Sequence, residues 1–106
     1  MRNIVIHNKC IGYLIEQLGL KEYKVFNVPH GRFTRDIFGM WDTMIATPDR
    51  VIFVQVTHKY ELNDTIRNHG LDDRKNYILS PVYSYYVVTF IKRGRKYEFS
   101  IIPMGE

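Results

Sequence analysis

The chain is poor in the residues that staple or chelate. A single cysteine among 106 residues excludes an internal disulfide, and Cys10 falls within a helical pattern where a buried, small apolar role is expected. The four histidines, His7, His30, His58 and His69, lack the paired spacing of a zinc site. No stretch approaches the roughly 18 to 20 consecutive apolar residues of a membrane span, and the N-terminus lacks the charged, then apolar, then small pattern of a secretory signal. The expectation is a soluble, cytoplasmic protein with no membrane partner. Repeats, low-complexity tracts and Pro/Gly/Ser linkers are absent, as are Walker and dinucleotide motifs, and "HGRF" is too short for a phosphate loop. Acidic residues are in the minority. Fifteen Lys and Arg against 11 Asp and Glu give a net charge of +4, which favours a polyanionic partner such as nucleic acid.

What is present suits one small core. The hydrophobic fraction is 45%, with 8 Tyr and 6 Phe, enough for a single domain spanning residues 1–106. Ile4, Ile11, Leu14, Ile15 and Leu18 share a helical face and Gly19 supplies a stop, so the spacing predicts an amphipathic helix over residues 4–18, weakest at Gly12. "EYKVFNV" reads as a strand, and "WDTMIAT" and "VIFVQVT" as a hairpin around "PDR". "ELNDTIRNH" has helical character with Gly70 as its end. "YSYYVVTFI" and "KYEFSII" form a second hairpin across "KRGR". The order is helix, three strands, helix, two strands, an α/β arrangement of helices on a mixed sheet.

The stretch "RDIFGMWDTMIATPDRVIFVQVTHKY", from Arg35 to Tyr60, carries polar residues where an apolar hairpin has no need of them. Residues two apart in a strand face the same way, so Gln55, Thr57 and Lys59 share one face, with His58 opposite as a packing or surface residue. Ordinary hairpin pairing brings Asp42 beside Gln55, and Asp36 lies past a bend at Gly39. Carboxylate, amide and hydroxyl oxygens then converge with an ammonium, a donor set suited to a hard divalent cation. The alternative is plain: Asp42 caps a turn, Gln55 pairs with backbone and Lys59 is solvated.

This segment resembles the core motif of the PD-(D/E)XK nuclease superfamily, the restriction-endonuclease-like fold that includes archaeal Holliday-junction resolvases. There an Asp at a strand start is followed, after a hairpin turn, by an acid-x-Lys triplet on the next strand. The likeness is strongest to small phage and archaeal proteins in which D-[IL]-F-G precedes the Asp and Q-V-T replaces acid-x-Lys. It covers the chain at motif level from the first helix through Lys59. The resemblance implies a restriction-endonuclease-like α/β fold, a central mixed sheet flanked by helices in the order αβββαββ. It implies Asp42 as a metal ligand, Gln55 as the second ligand, and Thr57 in the place of the catalytic lysine. Asp36 matches the first Asp of D-[IL]-F-G and, turned inward, would be a further ligand. Lys59 is a shifted source of the ammonium, with Arg67 and Lys75 as more distant ones. Asn8 falls where the family has a helical glutamate, Glu16 being a weaker substitute. Mg²⁺ or Mn²⁺ is the implied cofactor and DNA, including branched or junction DNA, the implied substrate, inside a cell or the host cell of a virus. Replacing an acid by Gln removes ligand charge and weakens the expected hold on a cation.

Around this centre, "KRGRK" gathers Lys92, Arg93, Arg95 and Lys96 at one turn, and Arg32 and Arg35 precede the motif; these six are the candidate phosphate contacts. The tyrosines of "YSYY" are at strand spacing, where packing is the commoner role and base stacking the alternative. A chain this small has little surface with which to wrap a duplex, which favours a homodimer. Two function classes remain open: a metal-dependent DNA endonuclease, or a catalytically inactive nucleic-acid-binding or protein-interaction module on the same fold.

Overall fold

The computed structural model describes residues 4–29 and 35–105. Helix α1 (Ile4–Leu18) leads into strands β1 (Lys24–Asn27), β2 (Thr43–Ala46) and β3 (Val51–His58). After a 3₁₀ turn at Lys59–Glu61 come helix α2 (Leu62–Asn68), a second 3₁₀ turn at Arg74–Asn76, and strands β4 (Tyr83–Arg93) and β5 (Lys96–Met104). The five strands form one mixed sheet in chain order, antiparallel except that β3 and β4 run parallel. That one parallel pair obliges the intervening chain to cross from one end of the sheet to the other, and α2 lies in this crossover. Among the described residues the protein is therefore an α/β fold with a five-stranded mixed sheet and two helices.

Strand alternation divides the core between the two sheet faces. On one face Ile52, Val54 and Val88 pack with Cys10, Ile11 and Leu14 of α1. On the other, Phe53, Tyr85 and Val87 pack with Trp41, Leu71 and Tyr77. Phe53 and Tyr85 stack at 5.4 Å between ring centroids, with Trp41 at 5.3 Å from Tyr85. Tyr85 is buried and its hydroxyl donates to the Ile78 carbonyl at 2.8 Å, so "YSYY" commits this tyrosine to packing and leaves Tyr83 and Tyr86 half-buried. Full burial of a side chain such as Leu14 or Ile52 stabilises by about 1.5–3 kcal/mol.

The buried stripe of α1 is His7, Cys10, Ile11 and Leu14, the i, i+3, i+4, i+7 spacing of one helical face. Ile4, expected on that stripe, is 54% exposed; His7 holds its upper end instead. Burial, then the nearby Asp42 carboxylate, pushes the Cys10 thiol from its ordinary 9.0 to about 12. A thiol held protonated in this way is a packing group and a poor nucleophile.

Gly12 is exposed within α1, and a Cβ built there meets nothing within 4 Å. Glycine in a helix interior costs about 0.5–1 kcal/mol relative to alanine. Gly12→Ala is expected to raise unfolding free energy by about that amount in a denaturant titration, with the m-value unchanged.

Candidate functional site

A cleft of about 500 Å³ opens where β2 leaves β3. β2 pairs with β3 only from Val51 to Val54, whereas β3 continues to His58 against β4 alone. The chain before Thr43 turns aside instead of extending the ladder. Ile37 and Trp41 bridge across a tight turn, with backbone bonds of 2.7 and 3.1 Å between them. Phe38 and Gly39 take positive φ of 56° and 71° in that turn. For Phe38 this left-handed conformation is strained, at a cost of roughly 1 kcal/mol, partly offset by its ring lying 5.7 Å from that of Phe53. Asp36 and Asp42 flank the Ile37–Trp41 bridge, so the bend expected at Gly39 brings both carboxylates to the mouth of the same cleft.

Asp42 is buried and takes over a strand's task with its side chain. Its N–H donates to Val54 O at 3.0 Å, and its Oδ2 accepts from Val56 N–H at 3.2 Å. A buried amide left without an acceptor costs about 1–3 kcal/mol, so the carboxylate replaces the β2 carbonyl that is no longer there. Asp42 Oδ1 accepts from the Thr43 hydroxyl at 3.1 Å, and Thr43 Oγ1 lies 2.7 Å from His7 Nε2. Asn27 Oδ1 stands 3.1 Å from His7 Nε2 and 3.0 Å from Thr43 Oγ1. With Nε2–H donating to Thr43 and the hydroxyl donating onward to Asp42, the chain of bonds runs from α1 to the cleft. His7 Nδ1 lies 3.9 Å from Asp42 Oδ2.

On the α2 side, Gln55 Nε2 lies 3.3 Å from His69 Nε2, and His69 Nδ1 lies 3.5 Å from Asp36 Oδ2. The other amide atom, Gln55 Oε1, is buried with no hydrogen-bond partner among the described residues. Buried acceptors are rarely left so. Thr57 Oγ1 meets Thr65 Oγ1 at 2.7 Å, fastening α2 to β3.

Of the residues anticipated from sequence, Asp36, Asp42, Gln55 and Thr57 line the cleft together. Asn8 and Lys59 do not. Asn8 is exposed, one residue and so about 100° of helical rotation past His7, and the residues of α1 that line the cleft are Ile6 and His7. Glu16 is exposed further along the helix. Lys59 was expected to continue the alternation of Gln55 and Thr57, but the strand ends at His58, whose Nδ1 accepts from Tyr60 N–H at 3.1 Å and starts the 3₁₀ turn. Lys59 is exposed and outside the cleft lining. Arg67 pairs with Asp64 on the surface of α2, and Lys75 is exposed in the second 3₁₀ turn. Among the described residues no Lys or Arg lines the cleft; its ionisable groups are Asp36, Asp42, Glu61, His7, His58 and His69.

Zinc-type spacing does not single out these histidines. A polar residue three and four positions before Cys10 and Ile11, on the apolar stripe, was the available signal for His7. His69 had none, since it reaches Gln55 only through the crossover. His58 does face away from Gln55, packing edge-on against Phe90 at 5.3 Å, yet it also borders the cleft.

The basic turn lies beyond the same end of the sheet. Because β3 and β4 are parallel and paired up to His58 and Phe90, Arg93 projects roughly 10 Å past the cleft at strand rise. Arg93 bonds Glu98 at 2.8 Å. Lys92 and, from α1, Lys9 lie over the Tyr97 ring at 5.9 and 5.5 Å, and Arg95, Lys96 and Arg35 are exposed. Arg32 lies outside the described residues.

The architecture defines an α/β protein with a polar cleft at the point where two strands diverge. Comparison with known proteins returns no matching family model, no matching curated protein and no matching solved structure. Among the described residues no group of three or more His, Cys, Asp or Glu side chains is arranged to hold a metal ion. The oxygen donors nevertheless suit a hard cation: carboxylates from Asp42 and Asp36, and the buried, unpartnered Oε1 of Gln55. Mg²⁺ is commonly held by one or two carboxylates, with water and phosphate completing the shell.

Thr43 is fully buried and bonded within the His7, Asn27 and Asp42 cluster. Thr43→Val keeps its shape and removes the hydroxyl, and is expected to lower unfolding free energy by about 1–3 kcal/mol, read from chemical denaturation.

Proposed function

We propose that the protein is a metal-dependent DNA endonuclease of restriction-endonuclease-like type, with Asp42, Gln55 and Asp36 as the cation-binding residues. The observation that carries this reading is the buried Gln55 Oε1, an oxygen without a hydrogen-bond partner among the described residues, on a side chain that lines a cleft shared with two carboxylates. A divalent cation bound there supplies charge stabilisation for an in-line displacement at phosphorus and lowers the pKa of water. Asp42 is held for that role by Val56 N–H and Thr43, so its position is fixed before any ligand arrives. Lys9, Lys92, Arg95 and Lys96, beyond the same end of the sheet, supply backbone-phosphate contacts. Branched or junction DNA is the substrate suggested by the motif resemblance.

The test is nicking of supercoiled and four-way-junction DNA with Mg²⁺ or Mn²⁺, comparing the parent protein with Asp42→Asn. Asparagine retains an acceptor for Val56 N–H and loses the charge, so cleavage is expected to fall by at least roughly 100-fold with the fold intact. Equal cleavage by both proteins rules out this site.

A second reading, a DNA-binding module without catalysis, draws on the absence of any Lys or Arg from the cleft lining among the described residues. Under either reading, neutralising Lys92, Arg95 and Lys96 together is expected to weaken DNA binding and flatten its log–log salt dependence by about 0.9 per lost phosphate contact. Binding that survives Asp42→Asn with no cleavage by the parent protein selects the module.

A further inference from the structure

We propose that His69 is a positioning residue that turns the Gln55 amide so that its NH₂ meets the imidazole and its oxygen is left as the acceptor for a cation. The proposal rests on the reading of Asp42 and Gln55 as cation ligands. An amide differs from a carboxylate in one decisive respect. Both oxygens of a glutamate accept, so either can meet a cation, whereas a glutamine presents an acceptor at one atom and two N–H donors at the other. A site that uses glutamine needs something to choose the orientation.

The C-cap of the crossover helix supplies it. Asp36 Oδ2, 3.5 Å from His69 Nδ1, favours the tautomer protonated at Nδ1, which leaves the lone pair on Nε2. Gln55 Nε2, 3.3 Å away, donates to that lone pair. Turning the amide over would set Oε1 against the same lone pair and put two N–H donors where the unpartnered oxygen now stands. The observed orientation instead leaves Oε1 buried and without a partner. Asp36 thereby acts twice, as a carboxylate at the cleft and as the group that fixes the tautomer of His69. The chain Asp36, His69, Gln55 is a carboxylate–histidine pair acting on a ligand from the second layer, an arrangement whose loss typically costs 10- to 100-fold in metal affinity.

The side chain of His69 is 31% exposed, so substitution there is compatible with folding, which a thermal melt verifies. Mn²⁺ alone is titrated calorimetrically into the full chain. His69→Ala is expected to weaken Mn²⁺ binding by roughly 10- to 100-fold, and His69→Gln, whose amide oxygen again offers an acceptor, to recover part of the loss. In a Gln55→Glu background, where the two oxygens are equivalent and need no orienting, His69→Ala is expected to change affinity by no more than about 2-fold. Equal loss in both backgrounds, or no loss in either, overturns the positioning role and leaves the cation site standing. Failure of both the parent protein and Gln55→Glu to bind Mn²⁺ removes the cation site, and this role with it.

Discussion

The carboxylate of Asp42 carries the local architecture. β2 has to leave the sheet for a cleft to exist, and a departing strand strips backbone groups of their partners. Asp42 accepts the Val56 N–H that β2 would otherwise have bonded, and through Thr43 it is tied to His7 on α1. One side chain thus closes the ladder, anchors the first helix and forms part of the cleft wall. A buried polar cluster of this kind is stabilising only when its members satisfy one another, which is why Asn27 and Thr43 are as much part of it as the ionisable groups.

The opposite wall follows from the single parallel strand pair. β4 lies parallel to β3, so the chain must cross the sheet between them, and α2 with its C-cap carries Thr65 and His69 over the end of β3. The polar atoms of Gln55 and Thr57 then meet partners from a different element than those of Asp42. The two walls differ in chemistry: a carboxylate held by backbone and hydroxyl on one side, and an amide held by an imidazole on the other. The same parallel pairing carries β4 past the cleft, which is how the basic turn comes to lie beyond it.

Much of this was legible along the chain. The helix from Ile4 to Leu18, the hairpin around "PDR" and the final hairpin followed from periodicity and turn residues, because each is held by contacts close in sequence. Asp36, Asp42, Gln55 and Thr57 were legible for the same reason: a bend at Gly39 and a hairpin register set their neighbourhood. Lys59 lies outside the cleft because the alternation of β3 stops at His58, and Asn8 because α1 turns its neighbour His7 toward the sheet. Neither outcome concerns propensity. Both concern where a regular element stops or which way it is rotated, and those are decided by what packs against it.

The amino-acid sequence by itself determined the element types, the cationic surplus and the meeting of Asp42 with Gln55, all of which depend on local geometry. The tertiary structure alone decided that His7 and His69 join the cleft, that no cation of the described chain lines it, and that Gln55 turns its amide nitrogen to His69. Those outcomes depend on helix rotation and on a crossover, and residues joined in that way are separated along the chain by distances that no local pattern spans.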